Sequence, residues 1–423
     1  MREFDIAFCR DEYITTLNDM KVSIPPRTKL SDEALDKRLS QALNAAQMTQ
    51  KYITKSTLNV SKLPAWTSRS VYDNIRRGDL HEALTFAGAR ERGDHDPFPL
   101  YMNAFMDLRQ TLMSLAKYWD SDINIAIVQD VKHEKCAINI RVLGVHKLDN
   151  KTPVLLVLYM LVTTADPWPG IRWVQEQQRR GPGMLPNTSA SDLELKLLAK
   201  LLSMNAKLLP STFKPKKLGA EEGFTPSFLL PVGPLTFEDL GKLNSDYGCA
   251  VCGEKSSKRC AQCQSVSYCS AECQHVDWPQ HKKTCRSLKG GTWITLPFVS
   301  SMPQYAGQFA VIVNRFNSSR PEEQRTINDA SVPTNIHGDK VFLIKIQIGM
   351  DGEGNFLIYD RQRSMQVYFI ESMDPELFKK FRAEIEGPKG GYNGLKMYRW
   401  AKRTGDFQFD ICLDRAPQEV IKW

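Results

Sequence analysis

Eight Cys and His residues between Cys249 and Cys285 are spaced for metal binding. They run Cys249-x2-Cys252-x7-Cys260-x2-Cys263-x5-Cys269-x3-Cys273-x7-His281-x3-Cys285. Zinc takes four Cys or His donors in a tetrahedron, and a structural site fills all four positions. Two residues between cysteines make a tight knuckle that aims both thiolates at one point, as at Cys249/Cys252 and Cys260/Cys263. Three residues between ligands place them at i and i+4 on one helical face, as at Cys269/Cys273 and His281/Cys285. Four pairs make eight ligands, which fits two zinc ions with no donor left over. The spacing permits sequential or interleaved pairing. His275 is surplus to the count and is expected to face solvent.

The other cysteines fit this reading. The chain has ten, seven of them inside the 37 residues of this cluster. Cys9, Cys136 and Cys412 are scattered, and the last two sit in apolar strand-like runs that suggest buried small hydrophobes. Clustered cysteines in a chain without an apolar leader point to an intracellular setting, in nucleus or cytoplasm, with thiols reduced. The longest apolar run, residues 154–162, is far short of the roughly 20 residues of a membrane span. The formal charge of +8 falls to +5 once seven thiolates and two dications are counted. A scattered balance of that size argues against a phosphate-backbone footprint, hence against a nucleic-acid partner.

Cys249-Ala-Val-Cys252 together with CAQCQSVSYCSAECQHVDWPQHKKTC, residues 260–285, resembles a MYND-type zinc finger. The resemblance covers residues 249–285 only. It implies interleaved pairing, with Cys249, Cys252, Cys269 and Cys273 on one zinc and Cys260, Cys263, His281 and Cys285 on the other. It also implies a protein-interaction role, since some such fingers take short proline-containing peptides through a Gln and a Trp four residues apart. Gln274 and Trp278 match those two positions, whereas a third, small polar groove residue is Ala261 here. Structural zinc with closed coordination argues against zinc catalysis.

The surrounding elements give an α+β chain. Residues 1–120 read as mostly helical, with helical spacing over 31–53, 66–90 and 99–119. Residues 121–235 read as an antiparallel meander followed by helices and a connector: alternation at Ile123–Ile127, again from Cys136, then the continuous run 154–162. Ser191-Asp-Leu-Glu194 is a capping box for a Leu-rich helix to Leu209. Residues 214–234, rich in Pro and Gly, read as the connector. Asp277 is the expected N-cap of a separate last finger helix, with Pro279 in its first turn. Residues 291–423 read as α+β. Strands are expected at 309–316, 341–348 and 356–360, a helix at 375–385 after Asp374-Pro375, and a hairpin of 395–402 with 407–413. Whether the strands before and after the finger share a sheet is open.

No catalytic constellation stands out. A SET-class methyltransferase needs an Asn-His…Cys…Asn cofactor segment and a late Tyr, and Asn314-Arg-Phe-Asn317 and Tyr359-Asp360 do not match. Asp94-His95-Asp96 reads as a polar turn, and Asp351–Asn355 lacks the Gly and Glu of a calcium loop. The glycine-rich run 387–394 lacks a phosphate-loop lysine. The expectation is a non-catalytic, zinc-binding adaptor with a protein or peptide partner. The alternative is an enzyme of unrecognised class in the α+β body, with the finger as its docking device.

Overall fold

The computed structural model describes the 423-residue chain apart from residues 1–5, 79–98, 302–330, 244–248, 388–393 and several shorter stretches (23, 25–26, 54–56, 68–69, 181–184, 237–238, 241–242, 255–257, 264, 350–353, 362, 418–420 and 422–423). The expected strand at 309–316 and the triplet Asp94-His95-Asp96 lie outside the described residues, as do most of the 351–355 and 387–394 loops. The chain divides into two units. One comprises 1–21, 32–78 and 85–235, the other 22–31, 79–84 and 236–423.

The first unit contains helices α1 (Arg10–Asp19), α2 (Asp32–Ala46), α3 (Thr49–Tyr52), α4 (Val71–Ile75), α5 (Ala104–Asp120), α6 (Trp168–Arg180) and α7 (Asp192–Ala206). Its sheet has the order β4-β1-β2-β3-β5. β1 (Ile125–Asp130), β2 (Cys136–Asp149) and β3 (Thr152–Thr163) form the expected antiparallel meander. β4 (Asn187–Ala190) adds parallel to β1, and β5 (Thr225–Leu229) adds antiparallel to β3.

β5 corrects the sequence reading, which placed a connector there. Pro226 pairs with Leu158 on an edge strand, where a missing N–H can face away from the ladder. The expected helix over 31–53 is also interrupted. Met48 adopts a left-handed φ of 55° between α2 and α3. The capping box is present as expected: Ser191 Oγ accepts from Glu194 N–H and Glu194 Oε2 accepts from Ser191 N–H. It starts α7, whose Leu195, Leu198 and Leu202 are wholly buried.

In the second unit, β6 (Lys258–Arg259) and β7 (Ser267–Tyr268) form a small ladder inside the finger, followed by helix α8 (Ala271–Leu288). The C-terminal part is a separate, six-stranded antiparallel sheet of order β11-β10-β9-β12-β13-β8. Its strands are β8 (Trp293–Pro297), β9 (Phe342–Ile348), β10 (Asn355–Asp360), β11 (Gln366–Ile370), β12 (Lys396–Gly405) and β13 (Gln408–Cys412). Just beyond β8, Val299 exchanges both backbone hydrogen bonds with Tyr368 of β11, each 2.8 Å. The sheet therefore curls until its two outer strands meet, which hides their unpaired backbone groups.

The core of this sheet is aromatic. Helix α9 (Pro375–Glu386) lies where expected, is capped by Asp374, and contributes the buried Phe378, Phe381 and Ile385. Phe378 stacks on Phe356 with centroids 4.1 Å apart. Burying several rings here replaces water contact with dense dispersion contacts, the main stabilising contribution available to a small sheet.

Candidate metal centre

Local backbone chemistry assembles the finger. At the first knuckle, Gly253 N–H donates to Cys249 O and Cys249 N–H to Glu254 O, with Gly253 at a left-handed φ of 74°. Only glycine adopts that conformation without steric cost, so the knuckle can turn back tightly. At the second knuckle, Cys260 N–H donates to Val266 O, which closes the β6–β7 ladder around it. Ser270 then caps α8 by accepting from Cys273 N–H at 3.2 Å. Along α8, Cys273, His281 and Cys285 are spaced in multiples of four and all are buried. One helical face thus supplies ligands to both centres.

The separate last helix expected from Asp277 and Pro279 is not formed. α8 runs unbroken through Pro279, and Asp277 instead accepts a hydrogen bond from the Tyr268 hydroxyl at 2.5 Å. A proline costs an interior helical bond. Here Cys273 on one side and His281 and Cys285 on the other are fixed by ligand geometry, which holds the helix across the break.

The donor atoms gather in two groups, Cys249/Cys252/Cys269/Cys273 and Cys260/Cys263/His281/Cys285, each with all its donors within 4.8 Å of one another. In the first group the Sγ–Sγ separations are 3.3 Å for Cys252–Cys269, 3.6 Å for Cys269–Cys273 and 3.9 Å for Cys252–Cys273. In the second, Cys260 and Cys285 sulfurs are 3.9 Å apart and Cys263 Sγ lies 3.3 Å from His281 Nε2. Sulfurs about 2.3 Å from a tetrahedral zinc would be about 3.8 Å apart. The separations suit that geometry and are far too long for disulfides, and all ten cysteines are free. The groups interleave along the chain, which settles the pairing that spacing left open. The residues present fit two structural zinc ions.

The protein surroundings alone shift the ligands in both directions: burial raises the Cys252, Cys263 and Cys285 thiols, the last to about 12, and Cys269 is raised to about 12 by its bond to Cys252, whereas two knuckle cysteines and the histidine go down. Burial opposes ionisation of Cys249, but backbone N–H groups of Cys269, Cys252 and Val251 directed at its sulfur bring the thiol down to about 7. Cys260 is lowered in the same way, against burial, by the N–H groups of Cys263 and Gln262. His281 is lowered by burial, partly offset by Asp277, so its neutral, metal-binding form is favoured. Residues 249–285 match the family model described as MYND finger.

This segment is a MYND finger.

The chain shares 51% identity over 45 residues with the zinc finger MYND domain-containing protein 10 homolog of Drosophila melanogaster, which is 11% of this chain and 10% of that protein. It shares 57% over 42 residues with dauer abnormal formation protein 25 of Caenorhabditis elegans, 10% of this chain and 11% of that one. A third likeness, 32% over 94 residues, is to SET domain and MYND-type zinc finger protein 6 of Schizosaccharomyces pombe, 20% of this chain and 19% of that protein. The chain thus spans only about a tenth to a fifth of these relatives. No solved structure matches it. MYND fingers are protein-interaction modules.

The finger is built onto the closed sheet. Its buried cysteines share a cluster with Leu288, Trp293, Val341, Trp400 and Cys412, and Trp400 Nε1 donates to Ser287 Oγ at 3.0 Å. Gly290 takes a left-handed φ of 65°, and a Cβ on Gly291 would run into Cys412 Sγ. The Gly-Gly pair therefore permits the close passage from α8 to β8, a role with no signal in the metal-ligand spacing.

Of the other residues singled out in the sequence, His275 is exposed and outside both ligand groups. Gln274 and Trp278 stand four apart on α8, both half-buried, and Ala261 is exposed. Trp278 packs against the finger's own cluster, its ring edge-on to His281 at 6.1 Å. Cys136 and Cys412 are buried, and burial pushes their thiols up to about 12 and about 11. Sequence reasoning missed the Tyr268–Asp277 bond that ties the β6–β7 ladder to α8. Its one available signal was an acid nine residues from a tyrosine.

Proposed function

We propose that this protein is an intracellular, non-catalytic adaptor whose MYND finger docks a short proline-containing segment of a partner protein across Gln274 and Trp278. The carrying observation is the pair of complete donor sets beside a half-buried indole that has a Gln one helical turn before it. Four protein donors around each zinc leave no position to activate water. An indole face suits a proline ring, and a Gln amide can both donate to and accept from an extended backbone.

Two further features support this reading. No helix among the described residues is long and apolar enough to cross a membrane, and ten cysteines without a disulfide suit a reducing compartment. The relatives' names describe unlike proteins, and the likeness to each is confined to a small share of its length. They therefore lend support to the finger's role and none to an activity of the body.

The test is binding of full-length protein to an array of proline-containing peptides, with zinc content measured alongside. Trp278→Ala and Gln274→Ala should each weaken the selected peptide tenfold or more while two zinc ions stay bound. Unchanged binding by Gln274→Ala with both metals present would refute the groove. Trp278 also packs inside the finger, so the Gln274 variant is the cleaner arm.

A further inference from the structure

We propose that residues 27–30 are an internal ligand of the finger: an extended basic strap hydrogen-bonded to the turn of the knuckle at Val251–Cys252, and held there only while the four-cysteine centre is loaded with zinc. This does not rest on the Gln274/Trp278 groove.

The geometry is that of an extended segment laid across the turn of the knuckle, whose two successive carbonyls both face it. Arg27 N–H donates to Val251 O at 3.1 Å and Lys29 N–H donates to Cys252 O at 2.8 Å. Donors at i and i+2 lie on one edge of an extended segment, with the side chain between them on the opposite course. Exposure alternates to match: Arg27 and Lys29 are exposed and Thr28 is 8% exposed. Thr28 Oγ1 accepts from Leu30 N–H at 3.2 Å, a local turn that ends the extended stretch before α2.

Charge makes the strap's composition fit. Four thiolates around one dication leave the centre at −2, and Glu254 follows the knuckle directly. Lys29 brings a positive charge to it, with Arg27 two residues before. The strongest electrostatic neighbour of Lys29 is Glu254, followed by Cys252, Cys273 and Cys269. Backbone hydrogen bonds to the turn hold the strap, and the flanking charge supplies selectivity.

The zinc dependence follows from Cys252, which binds metal through Sγ and accepts Lys29 N–H through its carbonyl. The knuckle's backbone conformation is fixed by the metal, so removing zinc removes the acceptor pair. A partner segment that takes this surface must be extended and basic, and must displace the strap.

Hydrogen exchange on the full-length protein, followed by mass spectrometry with residue-level fragmentation, tests this. In the zinc-loaded protein the Arg27 and Lys29 amides should exchange tenfold or more slowly than in a free peptide of residues 22–31. Chelation should bring them to the free rate while β12 keeps its protection, and zinc should restore them. Exchange at the free rate in the loaded protein would overturn the strap, and protection that survives chelation would overturn its metal dependence. In a second measurement, a fluorescein-labelled peptide of residues 22–31 is titrated against wild type and Arg27→Pro/Lys29→Pro, both confirmed to hold two zinc ions. The variant, whose strap has lost both donors, should bind the peptide tenfold or more tightly than wild type. Equal binding would contradict occupancy in cis.

Discussion

Replacing Glu194 with Gln should flatten the pH dependence of stability in the first unit. Glu194 is 2% exposed in the first turn of α7. Burial raises its carboxyl from 4.5 to about 7, against the opposing hydrogen bonds from Thr111 and Ser191 N–H and with a smaller push from Asp107. The folded state therefore holds a proton that the unfolded chain releases at lower pH. The contribution is fully present below the unfolded value of 4.5 and is lost as pH rises through about 7. At 1.36 kcal/mol per unit, the shift corresponds to about 3 kcal/mol. Glu194→Gln keeps a neutral, hydrogen-bonding side chain of the same shape. Urea unfolding of both proteins at pH 5, 6, 7 and 8, read by exchange of the α7 amides, gives the difference directly. The variant should gain about 2.5 kcal/mol relative to wild type between pH 5 and pH 8, the remainder of the shift lying below pH 5. Parallel stability curves would show that Glu194 is ionised inside the fold, and the desolvation reasoning would fail.

Other outcomes follow from the second unit. Chelation should remove two zinc ions together, and Cys273→Ser should lower the affinity of both sites, because α8 carries ligands for each; native mass spectrometry showing one metal lost and the other held at wild-type affinity would contradict the shared helix. Gly291→Ala should destabilise the second unit by about 1–3 kcal/mol through overpacking against Cys412 Sγ, and Cys412→Ala should recover part of that loss in a double-mutant cycle of denaturant unfolding. Phe378→Ala should cost about 3–5 kcal/mol in the same assay, since its ring is buried against Phe356; a loss under 1 kcal/mol would mean the core refills the space.

The metal centres were legible because zinc coordination constrains residue type and spacing at once. Knuckles and i/i+4 pairs fixed the eight ligands without any tertiary information. Interleaving was not legible from spacing, because each pair could reach two different partners. The strands at 125–130, 136–149 and 152–163 announced themselves by alternation and by β-branched content, the α7 start by the Ser191 capping box and the α9 start by Asp374-Pro375. Pro279 misled because proline is ordinarily a helix boundary signal, and here distant ligands override the local preference. Pro226 misled in the opposite direction, since only the sheet order reveals that its strand is an edge. The meeting of β8 with β11 rests on Val299 and Tyr368, which are separated by most of the C-terminal region, and such pairings have no local signature.

Only four residues separate the end of α8 at Leu288 from the start of β8 at Trp293, and the aromatic side chains around them lock that passage. Many small recognition modules ride on long tethers and search a volume before they engage. This one has a fixed bearing on its own sheet, so anything it grips is held at one angle and pays little further orientational entropy. A pull on that cargo would travel down the helix into the strands as mechanical load, with no slack to absorb it.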